Sequence, residues 1–185
     1  MSADSGLDTV SITMKPVLKR QYHAGLGMLR HAVEACPDPL WSAGGHTSAY
    51  WQVAYHTLFF THFYLHGDQA SFRPWEGHQG AVQHEDALTS PPDPASTRPL
   101  LPEPYSRDAV LAYWQVCADF VDPAVDAMDL GRADCGFWWY RVSKLEHQLI
   151  NLRHLQHHTA QLVDRLRTAT GTASRWLASG PAPGA

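Results

Sequence analysis

Cysteine is scarce and shows no pairing pattern. Cys36, Cys117 and Cys135 are odd in number, widely spaced and form no CxxC, which argues against a disulfide framework and fits a reducing compartment. No apolar run reaches the ~20 residues of a membrane span. The longest candidate, Tyr55 to Leu65, is shorter and carries two histidines. There is no basic excess either: 14 Lys and Arg stand against 18 Asp and Glu, a net charge of -4. Such a balance gives no electrostatic reason to expect nucleic acid or an anionic membrane as partner. The opening Met1-Ser2-Ala3-Asp4-Ser5 lacks the basic-then-apolar pattern of a secretory leader, so a cytoplasmic location is expected. Strand-like alternation is nearly absent, and there is no internal repeat.

What is present is helix and histidine. At 185 residues the chain is long enough for one domain with a real core. Four helical patterns stand out, predicting an all-α four-helix bundle. The first covers roughly Pro16 to Ala35, with Leu18, Tyr22, Leu26, Leu29 and Val33 on the 3.6-residue period. Pro16 is expected in its first turn, where proline is tolerated. The second runs from Thr47 or Ser48 to His66, closed by Gly67-Asp68. It is apolar on most faces and should be the most buried. Residues 67 to 105 hold many prolines and read as a long crossover, of the kind that joins helices without a tight hairpin. The third helix starts after Ser106, a good N-cap, with Val110, Tyr113, Trp114, Cys117 and Val121 as its stripe. Pro123 is expected to kink or restart it. The last opens with Ser143-Lys144-Leu145-Glu146, a capping-box pattern, and continues to about Arg167. Beyond it lies a Gly-, Ala-, Ser- and Pro-rich stretch, 171–185, expected to be a flexible tail.

Twelve histidines make the chain unusual. His154 and His158 stand at i and i+4 on the last helix, so both imidazoles share one face. At ~100° per residue, His147, Asn151, Gln161 and Arg165 join that face, and His157 lies at its edge. Leu145, Leu149, Leu152, Leu155 and Val163 occupy the other side. Solvent faces usually carry Lys and Glu; a face of His, Asn and Gln is better explained by an inward, wet pocket. On the second helix, His56 falls on a stripe of Val53, Phe59, Phe60 and Phe63 that must be mostly buried. A lone histidine there is ordinarily a hydrogen-bonded core residue. Paired with HxxxH on another helix, it becomes a candidate third ligand. Three imidazoles suit Zn²⁺ with an open position; Ni²⁺, Fe²⁺ and Mn²⁺ are compatible with the same ligands.

At these residues the chain resembles the DinB/YfiT-like superfamily of four-helix-bundle metalloproteins. His154, His157, His158 and Gln161 keep that family's His-x-x-His-His-x-x-Gln spacing, and His56, after Trp51 and Tyr55, matches its second-helix ligand. Arg153 stands where the family often has Asn, and Thr159-Ala160 replaces a frequent Arg-Gly. The resemblance implies a single domain over residues 1–170, an up-down-down-up bundle with the crossover between helices two and three, and a homodimer. It also implies a three-histidine metal site formed by His56, His154 and His158. Characterised relatives include thiol-dependent S-transferases, a mycothiol-dependent maleylpyruvate isomerase and iron sulfoxide synthases. The synthases show HxxxHxE, and Ala160 occupies the Glu position here, so that branch is set aside.

The leading expectation is a metal-dependent S-transferase that presents a low-molecular-weight thiol to a small electrophile. Tyr55, Asn151, His147 and Gln161 are the candidate pocket residues, and His157 a candidate proton carrier. Two alternatives stand beside it. One is a metal-dependent hydrolase with Glu146 as base. The other is a non-enzymatic metal- or small-molecule-binding protein with its pocket sealed by Trp138 and Trp139.

Overall fold

The computed structural model describes residues 4–43, 45–79, 103–172 and 174–181, with side chains from Thr13 onward. The chain is all-helical, with no strand among the described residues. Its elements are α1 (Asp4–Ala35), the single turn α2 (Asp38–Trp41), α3 (Tyr50–Leu65), α4 (Arg107–Ala127) and α5 (Lys144–Thr170). Helices α1 and α3 each pack on both α4 and α5. The expected stripes point into this core: Leu18, Tyr22, Leu26, Leu29 and Val33 from α1, and Val110, Tyr113, Cys117 and Val121 from α4, are buried, while Trp114 of the α4 stripe is half-buried. Helix α3 is buried on nearly every face, as its composition requires.

Several boundaries differ from expectation. Helix α1 begins twelve residues before Pro16 and runs through it. Proline keeps a helical φ, so an interior position costs one backbone bond and some crowding rather than the helix itself. Pro123 likewise does not restart α4, which continues to Ala127 as one element. Helix α3 starts at Tyr50 after Ala49, not at Thr47 or Ser48. Gln52 turns back there, and its Oε1 accepts the Ala49 amide at 2.6 Å, a cap supplied from inside the first turn. The Ser106 and Ser143 hydroxyls accept the Ala109 and Glu146 amides, as N-caps should. Helix α5 runs three residues past Arg167 and ends on Gly171, whose φ of 72° is the left-handed C-cap conformation.

Two further segments fix the ends of the bundle. Buried Lys144 directs its ammonium at the carbonyls of His66, Gly67 and Cys135, at 2.8, 3.0 and 3.2 Å, joining the start of α5 to the end of α3. Within the stretch expected as a flexible tail, Ala178 and Gly180 bond to α1. The Gly180 amide donates to the Arg20 carbonyl at 2.9 Å, and the Gln21 amide donates to the Ala178 carbonyl at 3.2 Å. Of the crossover, residues 67–79 and 103–106 are described and contain no helix; its proline-rich centre lies outside the described residues.

Candidate metal centre

Helix α5 turns its polar face inward. His147, Gln148, Asn151, His158 and Thr159 are buried; of the leucine side only Leu149 is exposed, at 47%, while Leu155 is buried and Leu145, Leu152 and Val163 are half-buried. This orientation follows from what α3 offers opposite: a helix so apolar that it must be covered, with His56 set among aromatics on the side that meets α5. His56 thereby meets His154 and His158. One ring nitrogen from each lies within 4.8 Å of the others, so the trio could hold a metal ion. The ring centres are 5.0 Å apart for His56 and His154, 4.6 Å for His56 and His158, and 4.5 Å for His154 and His158.

The donor set fits a divalent ion on three counts. First, the Nε2 atoms of His56 and His154 stand 3.1 Å apart. Two nitrogens at tetrahedral positions ~2.0–2.1 Å from one ion would be about 3.3 Å apart. Second, burial, then repulsion from His158, His56 and His157, lowers the His154 pKa to about 3. The ring is neutral at pH 7 and keeps a lone pair for a ligand. Third, the His158 Nδ1 donates to Gln161 Oε1 at 2.8 Å. That bond fixes the proton on Nδ1 and leaves Nε2 as the lone-pair nitrogen, the orientation an outer-shell acceptor imposes on a ligating histidine. The buried Nδ1 of His154, by contrast, has no hydrogen-bond partner. Phe60, one turn beyond His56, packs on both imidazoles, 4.8 Å from the His56 ring and 5.4 Å from that of His154.

The remaining expected residues divide. Gln161 is exposed and joins the site through His158; its Nε2 also reaches His157 Nε2 at 3.4 Å. His157 is exposed, with its ring 4.9 Å from that of His158. Asn151 lies on the same inward stripe but bonds the Thr61 carbonyl at 3.2 Å. His147, two turns before His154, sits in an aromatic box of Phe137, Tyr64 and Tyr140 rather than with the trio. Tyr55 turns to the opposite side of α3, against Tyr105 and Tyr113, with its hydroxyl on His78 Nδ1. Glu146 is exposed on the first turn of α5, two turns before His154.

Sequence reasoning missed His78, which belongs to the crossover and carries no periodic signal. It lines a cavity of about 590 Å³ together with Gln69 and a set of aromatic residues from α3 and the 137–139 loop. Trp138 and Trp139 flank this cavity; Trp138 is 78% exposed and does not seal the histidine site. Burial lowers the His78 pKa. No helix is long and apolar enough to cross a membrane among the described residues. The chain matches no family model, no curated protein and no solved structure.

Proposed function

We propose that this chain is a metal-dependent enzyme of the DinB/YfiT-like type, holding one divalent ion on His56, His154 and His158 and acting as a thiol-dependent S-transferase on a small electrophile. The observation that carries the reading is the convergence of three buried or half-buried imidazoles from two helices. Zn²⁺ is the ion that three such nitrogens suit best, with Ni²⁺, Fe²⁺ and Mn²⁺ compatible. The same reading takes the four long helices as an up-down-down-up bundle, which the packing of α1 and α3 on both α4 and α5 supports. It also takes the protein as a cytoplasmic homodimer without nucleic-acid or membrane partners.

A bound divalent ion would acidify a coordinated thiol and stabilise its thiolate. The chain's own groups prepare the site. His154 stays neutral because it is buried beside other imidazoles. Gln161 holds His158 in one tautomer. Phe60 excludes water from one side of the His56 and His154 rings. Three neutral ligands leave the ion's charge unbalanced, and that favours an anionic thiolate as a further ligand. Glu146, the only base assigned to a hydrolase, is exposed on the first turn of α5; thiol activation is therefore preferred to water activation.

The test is elemental analysis of untagged protein purified without added metal, followed by a thermal-shift screen of low-molecular-weight thiols on loaded and metal-free protein. About one equivalent of metal is expected, with a thiol-dependent rise in Tm for the loaded form alone, because ligand binding stabilises the native state by mass action. Reduction of Cys36, Cys117 or Cys135 would shift both forms alike. Substoichiometric metal after reconstitution, or equal shifts with and without metal, would overturn the assignment.

A further inference from the structure

The aromatic cavity beside the histidine trio has the build of a ligand site of its own. Phe59, Phe60, Phe63, Phe72, Trp138 and Trp139 supply most of its wall. At about 590 Å³ it falls in the range of small-molecule pockets. Its mouth is formed by two indoles set edge-to-face, ring centres 5.5 Å apart at 89°. Trp139 lies nearly parallel to Phe63 at 6.0 Å and 27°. Trp138 is 78% exposed and Trp139 37%. A contiguous apolar patch of this kind on a folded surface marks an interaction site.

The chemistry of the wall limits the occupant. No charged side chain lines the cavity among the described residues. A charged ligand would lose its hydration there without gaining a counter-charge. Flat walls of Phe and Trp favour offset-stacked and edge-to-face contacts with a planar ring. Two polar groups interrupt them. Gln69 offers a carboxamide, and His78 has its Nδ1 engaged by the Tyr55 hydroxyl, so Nε2 is the nitrogen left to a ligand.

We infer that this cavity binds an uncharged aromatic compound of one or two fused rings bearing a hydroxyl or carbonyl group, its ring between Phe63, Phe72 and the two indoles and its polar substituent at Gln69 and His78. The binding site shares no side chain with the histidine trio, so it stands independently of the metal reading. Combined with that reading, and resting on it for this clause alone, the cavity makes the electrophile an aromatic one, because Phe60 is a wall common to both.

Isothermal titration of the full chain with 2-naphthol, 2-naphthoate and cyclohexanol tests the inference. Saturable one-to-one binding of 2-naphthol is expected, with 2-naphthoate at least about tenfold weaker and cyclohexanol weaker still. Trp138→Ala, at an exposed position that does not threaten folding, should weaken 2-naphthol about fivefold through the lost ring contact. Gln69→Ala should weaken it while leaving naphthalene unchanged. His154→Ala should leave 2-naphthol affinity within about twofold, since no lining residue is altered; this separates failure of the metal reading from failure of the cavity. Non-saturable binding, equal affinity for naphthol and naphthoate, or an unchanged Kd in Trp138→Ala would overturn it.

Discussion

His147 provides a direct way to ask what the inward polar face of α5 costs the fold. Its side chain is fully buried, stacked on Phe137 at 4.7 Å and 27° and met edge-on by Tyr64 at 4.8 Å. Its Nε2 is buried without a hydrogen-bond partner. Burial, with a smaller push from the Lys144 ammonium, lowers its pKa to about 4. In the unfolded chain the ring returns to its ordinary value near ~6.5. Between those two values the unfolded state binds the extra proton. The stability from keeping this ring neutral is therefore complete above pH ~6.5 and is lost as the pH falls toward 4. Between pH 7 and pH 5 the loss is about 2 kcal/mol for a histidine shifted this far.

His147→Phe removes the proton and the orphaned nitrogen while keeping a flat ring in an aromatic box. At pH 7 the variant should stay within about 1 kcal/mol of the parent, because relief of an unpaired polar atom offsets slight overpacking. Between pH 7 and pH 5 it should lose about 2 kcal/mol less than the parent does. Other buried histidines, His62 among them with a pKa lowered to about 4, titrate in both proteins and cancel from the difference. Urea unfolding followed by circular dichroism, on metal-free protein at both pH values, measures it; without metal, acid-driven ion release adds nothing. A difference below about 0.5 kcal/mol would refute the claim that this ring is forced neutral by burial. A loss above about 3 kcal/mol at pH 7 would show that the imidazole makes a bond on which the fold depends.

Other outcomes are equally specific. His56→Ala, His154→Ala and His158→Ala should each abolish stoichiometric metal binding by elemental analysis, whereas exposed His157→Ala should retain it; equal loss in all four would displace the assignment of the trio. Gln161→Ala should weaken metal affinity by about 10–100-fold in a chelator competition, since it frees the His158 ring to change tautomer. Lys144→Met leaves three carbonyls at the junction of α3 and α5 without their donor and should cost about 2–4 kcal/mol in urea unfolding; a cost under about 1 kcal/mol would mean that water replaces the ammonium freely. Gly136 has φ of 86°, and an added Cβ would stand 2.6 Å from the Gly67 carbonyl oxygen. Gly136→Ala should therefore lower stability by about 2 kcal/mol or more, and no loss would show that this junction is not rigid.

The helices were readable because each carries a repeated signal. Leu18 through Val33, and Val110 through Val121, mark their buried faces by spacing alone, and Ser106 and Ser143 mark two starts by cap chemistry. What spacing does not encode is the energy balance at single residues. Pro16 and Pro123 read as punctuation, yet neighbouring backbone bonds and tertiary packing carry both helices through them. The Ala49 start was hidden because its cap comes from Gln52, inside the helix, where a cap residue is not sought. Lys144 read only as part of a capping box, since nothing local announces that its ammonium will reach three carbonyls from two distant segments.

The site divides along the same line. Helical phase placed His154 and His158 together and left His157 at the edge, and the apolar stripe around His56 made its burial expected. Phase says nothing of distance along the axis, however. His147 shares the stripe of His154 yet stands two turns away, about 10 Å at 1.5 Å per residue, inside an aromatic box. Tyr55 adjoins His56 in sequence, but successive helical residues diverge by ~100°, so it faces α4 while His56 faces α5. His78 has no periodic neighbours at all; only the folded chain sets it beside Phe59 and Tyr55. The trio was thus accessible to reasoning from one dimension because two helical registers determine it. The cavity was not, because its walls come from a helix and two irregular segments whose approach depends on the whole bundle.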